Sequence, residues 1–196
     1  MNPSEKKPQK KDLYDSETQR QFDTEEIGLG PWTSYSLIND PKHMCFVLSR
    51  YKFCSKMLSG KQSVLEVGCG DGFGIPIMAQ SVKKLYVADW EERLIKGNVE
   101  RLSHLKNVEY IHHDFNLSPL SIKMDAVIAV DLIEHLDPEN EAIFTENMVA
   151  CLKPTGTMII GTPNITASQY ASPQSEALHI NLKSMKMLRE LMERFF

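Results

Sequence analysis

Between residues 63 and 160 the chain repeats one alternation, a short and nearly continuous apolar run followed by a stretch with helical spacing. The runs are Ser63–Val67, Leu85–Asp89, Val108–His112, Asp125–Val130 and Thr157–Ile160. Helical patterns lie at Ile75–Ser81, Glu91–Leu102, Glu139–Leu152 and, at the end, Leu182–Phe195. Strands this apolar are buried on both faces, which parallel strands achieve when crossover helices cover them. The pattern predicts an α/β fold with a doubly wound, mostly parallel sheet over residues 61–196.

Residues 29–60 precede that sheet as an N-terminal segment and helix. Asp40-Pro41 offers an N-cap with proline at the first helical position. Met44, Val47, Leu48, Tyr51, Cys54, Ser55 and Leu58 then form one helical face, ended by Ser59-Gly60. Trp32 and Tyr35 stand ahead of this helix, where they could pack on the domain or close over a ligand. Residues 1–28 carry lysines first and acids later, with few apolar side chains to offset the entropy of ordering. They read as a polar, mobile tail.

Composition narrows the partners. Across 196 residues, 22 Lys and Arg face 26 Asp and Glu, for a net charge of −4. A protein whose affinity comes from phosphate contacts needs a basic excess, so nucleic acid is not expected as a partner. No apolar run nears the ~18–20 residues that span a bilayer, so neither is membrane. Cys45, Cys54, Cys69 and Cys151 form no CxxC pair, and the N-terminus lacks an apolar signal core, so a reduced, cytoplasmic setting is expected.

The strongest local signal is Val64-Leu-Glu-Val-Gly-Cys-Gly-Asp-Gly-Phe-Gly74, a strand running into glycines 68, 70, 72 and 74 ahead of a helix. Glycine permits the tight turn and a ligand's close approach to the backbone. A nicotinamide fingerprint wants glycine at its first, third and sixth positions. Counted from Gly68 the sixth is Phe73, so that fingerprint fails. Glu66, two places before Gly68, suits a ligand with positive charge or amine donors and would repel a pyrophosphate. Asp89, closing the next apolar run, can accept both hydroxyls of a ribose, and Trp90 offers a flat face for a purine. Asp114 follows the third run, where it could accept from an exocyclic amine, and Asp131-Leu-Ile-Glu-His135 follows the fourth. All four elements fall at carboxyl ends of strands, where open α/β sheets bind ligands.

This set resembles the class I S-adenosylmethionine-dependent methyltransferases over about residues 40–195. Glu66 to Gly72 is similar to their first motif, and Val130–Leu136 and Leu152–Asn164 to later ones. The form Asp-Leu-Ile-Glu-His-Leu resembles the small-molecule enzymes of ubiquinone biosynthesis. The resemblance implies a Rossmann-like domain with S-adenosyl-L-methionine as cofactor, bound by Arg50, Glu66, Gly68, Cys69, Gly70, Asp89, Trp90, Asp114, Phe115 and Val130. Arg50 would hold the methionine carboxylate, Asp89 the ribose and Asp114 the adenine edge. Neither the Asn/Asp-Pro-Pro-Tyr/Phe motif of base- and glutamine-modifying amino methyltransferases nor the Pro-Cys of cytosine C5 enzymes is present.

The implied activity is methyl transfer to an oxygen or nitrogen of a polar small-molecule acceptor. A non-catalytic S-adenosylmethionine-binding module acting through a partner is the alternative. A base is needed only where the acceptor must lose a proton. Asp131, His135 and His179 are the candidates, with helix capping or turn packing the structural alternative for the first two. His179 lies past the fifth strand, where these enzymes build their acceptor pocket. The long polar connector Thr162–Ser172 offers Asn164, Gln169 and Tyr170, and Asn164 and Tyr170 join Trp32 and Tyr35 as acceptor-contact candidates. No spacing among His112, His113, Glu134 and His135 matches a metal-ligand frame, so no metal is expected. The family's sheet has seven strands, and here the last two are not expected. Thr157–Ile160 becomes an open edge with Met158, Ile159 and Ile160 exposed, to be covered by a second copy or a further C-terminal segment.

Overall fold

A computed structural model describes residues 9–24 and 26–196. Five strands, β1 (Ser63–Val67), β2 (Lys84–Asp89), β3 (Val108–His112), β4 (Met124–Val130) and β5 (Leu152–Gly161), form one sheet in the order β3-β2-β1-β4-β5. Every pairing is parallel. The chain builds outward from β1 to β3, then crosses back to lay β4 on the other side of β1. That reversal opens a crevice at the carboxyl ends of β1 and β4.

Strand alternation sends Val64 and Glu66 to one face and Leu65 and Val67 to the other. On the first face α3 (Pro41–Met57), α4 (Ile75–Ala79) and α5 (Glu92–Arg101) bring Tyr51, Cys54, Met78 and Ile95 against Val64, Val87 and Ile128. On the second, Phe144 and Met148 of α6 (Glu141–Val149) pack with Leu65, Val67, Phe115 and Val127. α7 (Pro173–Leu178) and α8 (Met185–Met192) follow β5. Among the described residues no helix is long and apolar enough to cross a membrane.

Ahead of the sheet stand α1 (Lys10–Phe22) and α2 (Pro31–Asn39). α1 falls inside the stretch expected as a tail, and it buries no residue. β5 is longer than expected. Lys153-Pro-Thr-Gly156 belongs to it rather than closing the preceding helix, which ends at Val149, and the extra length enters through a register shift between Met124 and Ala126. The last helix is also shorter than its apolar spacing suggested.

The expected open edge needs a correction. Among the described residues β5 pairs with β4 alone, yet Met158, Ile159 and Ile160 are half-buried rather than exposed. An edge leaves backbone groups unpaired, while the side chains still point to the two covered faces. Ile159 packs against the first core and Met158 against the second.

Candidate active site

The glycine loop leaves β1 with Gly68, Gly70 and Gly72 at φ of 73, 53 and 80°. A Cβ on Gly68 would stand 2.7 Å from Leu132, so glycine there serves both the turn and the close approach of the β4 end. The loop's other side is built by residues that no motif marks. Asn98 of α5, fully buried, donates from Nδ2 to the Gly70 carbonyl at 2.8 Å, and Arg101 donates to the Asp71 carbonyl at 2.8 Å. Asp71 in turn receives the Thr33 amide at 2.7 Å and the Thr33 hydroxyl at 2.8 Å, docking α2 on the loop. A polar residue inside the glycine run was the one sequence sign of this latch.

Beside the loop a cleft of about 330 Å³ opens, lined by Gly68, Asp89, Trp90, Asp114, Phe115 and His135 among others. Asp89 is buried. Its Oδ2 accepts the Gly70 amide and its Oδ1 the Glu91 amide, each at 2.9 Å. Burial raises its carboxyl above the ordinary range, and these backbone donors oppose the shift. Carboxylate oxygens have two acceptor sites each, so both keep one for a ribose hydroxyl. Trp90 is 68% exposed beside the cleft. Asp114 Oδ1 accepts from the Asn116 amide at 2.8 Å, an Asx turn. Phe115 forms the floor, edge-on to His113 at 4.8 Å between ring centres. Cys69 and Val130 are buried in the first core, next to the cleft rather than lining it.

Glu66 is buried, with Oε1 accepting the Tyr51 hydroxyl at 2.6 Å and Oε2 without any partner. Burial pushes its carboxyl up to about 7. Arg50, expected on the methionine carboxylate, pairs with Asp131 at 3.1 Å, and neither lines the cleft. Asp131 adopts φ 51°, a left-handed conformation uncommon outside glycine, and its amide donates to the Gly161 carbonyl at 2.7 Å. Its Oδ1 is buried without a partner, and burial raises its carboxyl against the pull of Arg50.

The turn after Asp131 is a short 3-10 helix, Ile133–His135. Glu134 is fully buried there, its Oε2 accepting the Thr162 hydroxyl at 2.9 Å and its Oε1 unpartnered. Burial and the charge of Asp131 push Glu134 up to about 7. His135 and His179 meet edge to face with ring centres 4.9 Å apart. Burial lowers the pKa of His135 and, with the charges of His135, His43 and Arg50, takes His179 down to about 4. His179 is held there because the Asn181 amide donates to the Glu134 carbonyl at 2.9 Å, while Asn181 and Lys183 both bind the Glu141 carboxylate. Glu134, His135 and His179 offer ligand atoms within 4.8 Å of one another and could hold a metal. His112 and His113 instead spend a ring nitrogen on the carbonyls of Trp90 and Ser118.

None of the four acceptor-contact candidates lines the cleft. Trp32 lies on the glycine loop, its ring 3.2 Å from where a Gly70 Cβ would stand. Tyr35 is half exposed. Asn164 spends Oδ1 on the Thr166 amide and hydroxyl at 3.0 Å, satisfying its own turn, and Tyr170 is 82% exposed.

Residues 64–156 match the family described as the methyltransferase domain. A protein of Mycolicibacterium smegmatis named as a probable S-adenosylmethionine-dependent methyltransferase is 28% identical over 134 residues, 67% of this chain and 50% of the relative. The ubiquinone biosynthesis O-methyltransferase of Rickettsia felis is 28% identical over 125 residues, covering 63% of this chain and 48% of that protein. The chain thus spans about half the length of the curated relatives it matches. Among solved structures, the N-methyltransferase NodS of Bradyrhizobium japonicum with S-adenosyl-L-homocysteine shares the fold at a TM-score of 0.67 and 16% identity, over 91% of this chain and 84% of that one. A five-stranded parallel sheet with a glycine loop ahead of a buried strand-end aspartate gives the chain the Rossmann-like methyltransferase fold, and residues 64–156 are similar in sequence to the methyltransferase domain and to S-adenosylmethionine-dependent relatives.

Proposed function

We propose that this protein transfers a methyl group from S-adenosylmethionine to an oxygen or nitrogen of a polar small molecule. The observation that carries the reading is the cleft at the carboxyl ends of the strands, where the glycine loop, Asp89, Trp90 and Asp114 converge and His135 closes the far side. When bound, S-adenosylmethionine supplies an electrophilic methyl group on a sulfonium. Asp89 has an acceptor site left on each oxygen for the ribose, Asp114 stands for the adenine edge, and the exposed face of Trp90 offers a stacking plane. Glu66, buried just before the loop with Oε2 unpartnered, keeps an acceptor for an amine donor of the ligand.

Because an in-line displacement asks the protein chiefly to position the reactants, the acceptor end needs a group that holds the incoming atom and takes its proton where it has one. His135 and His179 are that pair, one lining the cleft and the other against it. Asp131, the third candidate, has its carboxylate engaged by Arg50 and acts on His135 through its charge.

Isothermal titration of S-adenosylhomocysteine into the wild type and Asp89→Ala tests the cofactor half. Micromolar binding that the variant loses supports the reading, and absence of binding to the wild type ends it. A screen of hydroxyl- and amine-bearing acceptors, read as S-adenosylhomocysteine formed, then tests the transfer. Its loss in His179→Ala with cofactor affinity retained would place His179 at the acceptor.

A further inference from the structure

We propose that Tyr51 is a positioning residue for the cofactor, its hydroxyl orienting Glu66 and holding it as a carboxylate whose free oxygen receives the ammonium of the methionine end. This role rests on the methyltransferase reading and names the residue on which the part played by Glu66 depends. In the sequence Tyr51 is one more core position on the helical face of α3, and no spacing ties it to a glutamate 15 residues away.

The last glycine of the run gives the first observation. Gly74 has φ −84° and ψ −20°, values any residue adopts, so the backbone does not call for glycine there. The Tyr51 ring does, because a Cβ on Gly74 would run into its Cε1, Cζ and Cδ1 atoms. The buried ring therefore lies against the loop with no room for another side chain, and its hydroxyl donates to Glu66 Oε1 at 2.6 Å. That length falls in the range of a hydroxyl donating to an ionised carboxylate.

Glu66 supplies the second. Its backbone pairs with Val87 of β2 on one side and Ile128 of β4 on the other, so only the side chain is left to turn. With Oε1 held by Tyr51, Oε2 stays buried and without a partner, a cost that an incoming donor removes. Burial and the charge of Asp89 favour the protonated carboxyl, and the Tyr51 hydroxyl favours the ionised one. Cys54 from α3 and Cys69 from the loop also face it, both thiols held neutral by a raised pKa. None of these four groups is a cation, so the ionised glutamate is matched to a ligand that brings one.

The test is calorimetric titration of S-adenosylhomocysteine into the full chain, Tyr51→Phe, Glu66→Gln and the double variant, each at pH 6, 7 and 8.5. Wild-type affinity, taken relative to Glu66→Gln so that the ligand's own titration cancels, is expected to rise through about pH 7. Tyr51→Phe keeps the ring against Gly74 and loses only the hydroxyl. It is expected to bind about fivefold more weakly at pH 7 and within about threefold of wild type at pH 8.5, the rise having moved up by roughly one pH unit. In the Glu66→Gln background the same change is expected to alter affinity by less than about twofold. An equal loss at every pH, an unchanged affinity, or as large a loss in the glutamine background overturns the role. The double variant leaves no buried charge unpaired, so it still reads that last comparison where Tyr51→Phe alone does not fold. Failure of S-adenosylhomocysteine to bind wild type ends the methyltransferase reading and this role with it. Binding by wild type with a Tyr51→Phe defect equal at every pH removes the role alone.

Discussion

The two ends of the cleft hold their carboxylates in opposite ways. At the β1–β2 end both oxygens of Asp89 receive backbone amides from the adjacent loops. At the β4–β5 end Asp131 and Glu134 each keep one buried oxygen without a partner, and the imidazoles near Glu134 come from segments far apart in the chain. Asp89 is therefore oriented whether or not a ligand is present. An open buried oxygen costs about 1–3 kcal/mol until a donor or cation meets it, so the second end is poised for an occupant and the first for a fixed shape.

The change expected to have the largest effect breaks both ends together. Gly68→Ala forces a side chain into φ 73° and 2.7 Å from Leu132, which belongs to the β4 end. Left-handed strain and overpacking together are expected to cost about 2–5 kcal/mol, read as a lower denaturation midpoint. A variant as stable as wild type would show that the two ends do not meet there.

Asp89→Ala addresses the amide-held end alone. Cofactor affinity is expected to fall about 100-fold, near 2.7 kcal/mol. Parallel titrations of S-adenosylhomocysteine into wild type and variant check this, and equal affinities would contradict it.

Glu66→Gln sharpens the contrast for a third buried carboxyl with an open oxygen. Burial raises the folded pKa to about 7, against about 4.3 unfolded, so between those values the folded state keeps a proton that the unfolded state releases. The stability this contributes is fully present below about pH 4.3 and is lost as pH rises through about 7. The glutamine variant is expected to lose that slope and to exceed wild type at pH 8 by on the order of 2 kcal/mol. Urea melts at pH 5 and pH 8 measure it, and parallel slopes would contradict it.

The smallest effect concerns the latch over the glycine loop. Thr33→Val removes the hydroxyl donor to Asp71 and leaves a buried carboxylate oxygen short of a partner, about 1–2 kcal/mol. Amide exchange in α2 is expected to rise while the sheet stays protected. Uniform exchange would mean that α2 unfolds only with the domain.

What was legible in the sequence was whatever a short stretch of chain settles by itself. The five strands, the glycine turn after β1 and the acids at strand ends are local patterns, and each lies where its period and its neighbours put it. The strand limits were less legible at β5, where pairing with β4 recruits Lys153-Pro-Thr-Gly156, residues that read locally as a helix terminator. Asn164 and Tyr170 could not be placed by local pattern at all. Both lie outside the lining of the cleft, Asn164 bonding its own turn and Tyr170 exposed. Arg50 and Asp131 each looked free for chemistry, and only folding reveals that they pair across 81 positions of sequence.

The sequence by itself thus determined the parallel sheet, its order of elements and the glycine turn with its strand-end acids, because hydrophobic period and glycine geometry act within a few residues. Tertiary structure alone decided how the glycine loop is braced and which side chains meet at the β4–β5 end. Thr33 reaches Asp71, Asn98 reaches Gly70, and His179 reaches His135 and Glu134 through contacts between distant segments. Hydrogen bonds such as that from Asn181 to Glu134 form only after the sheet has brought their partners together, and no local pattern encodes them.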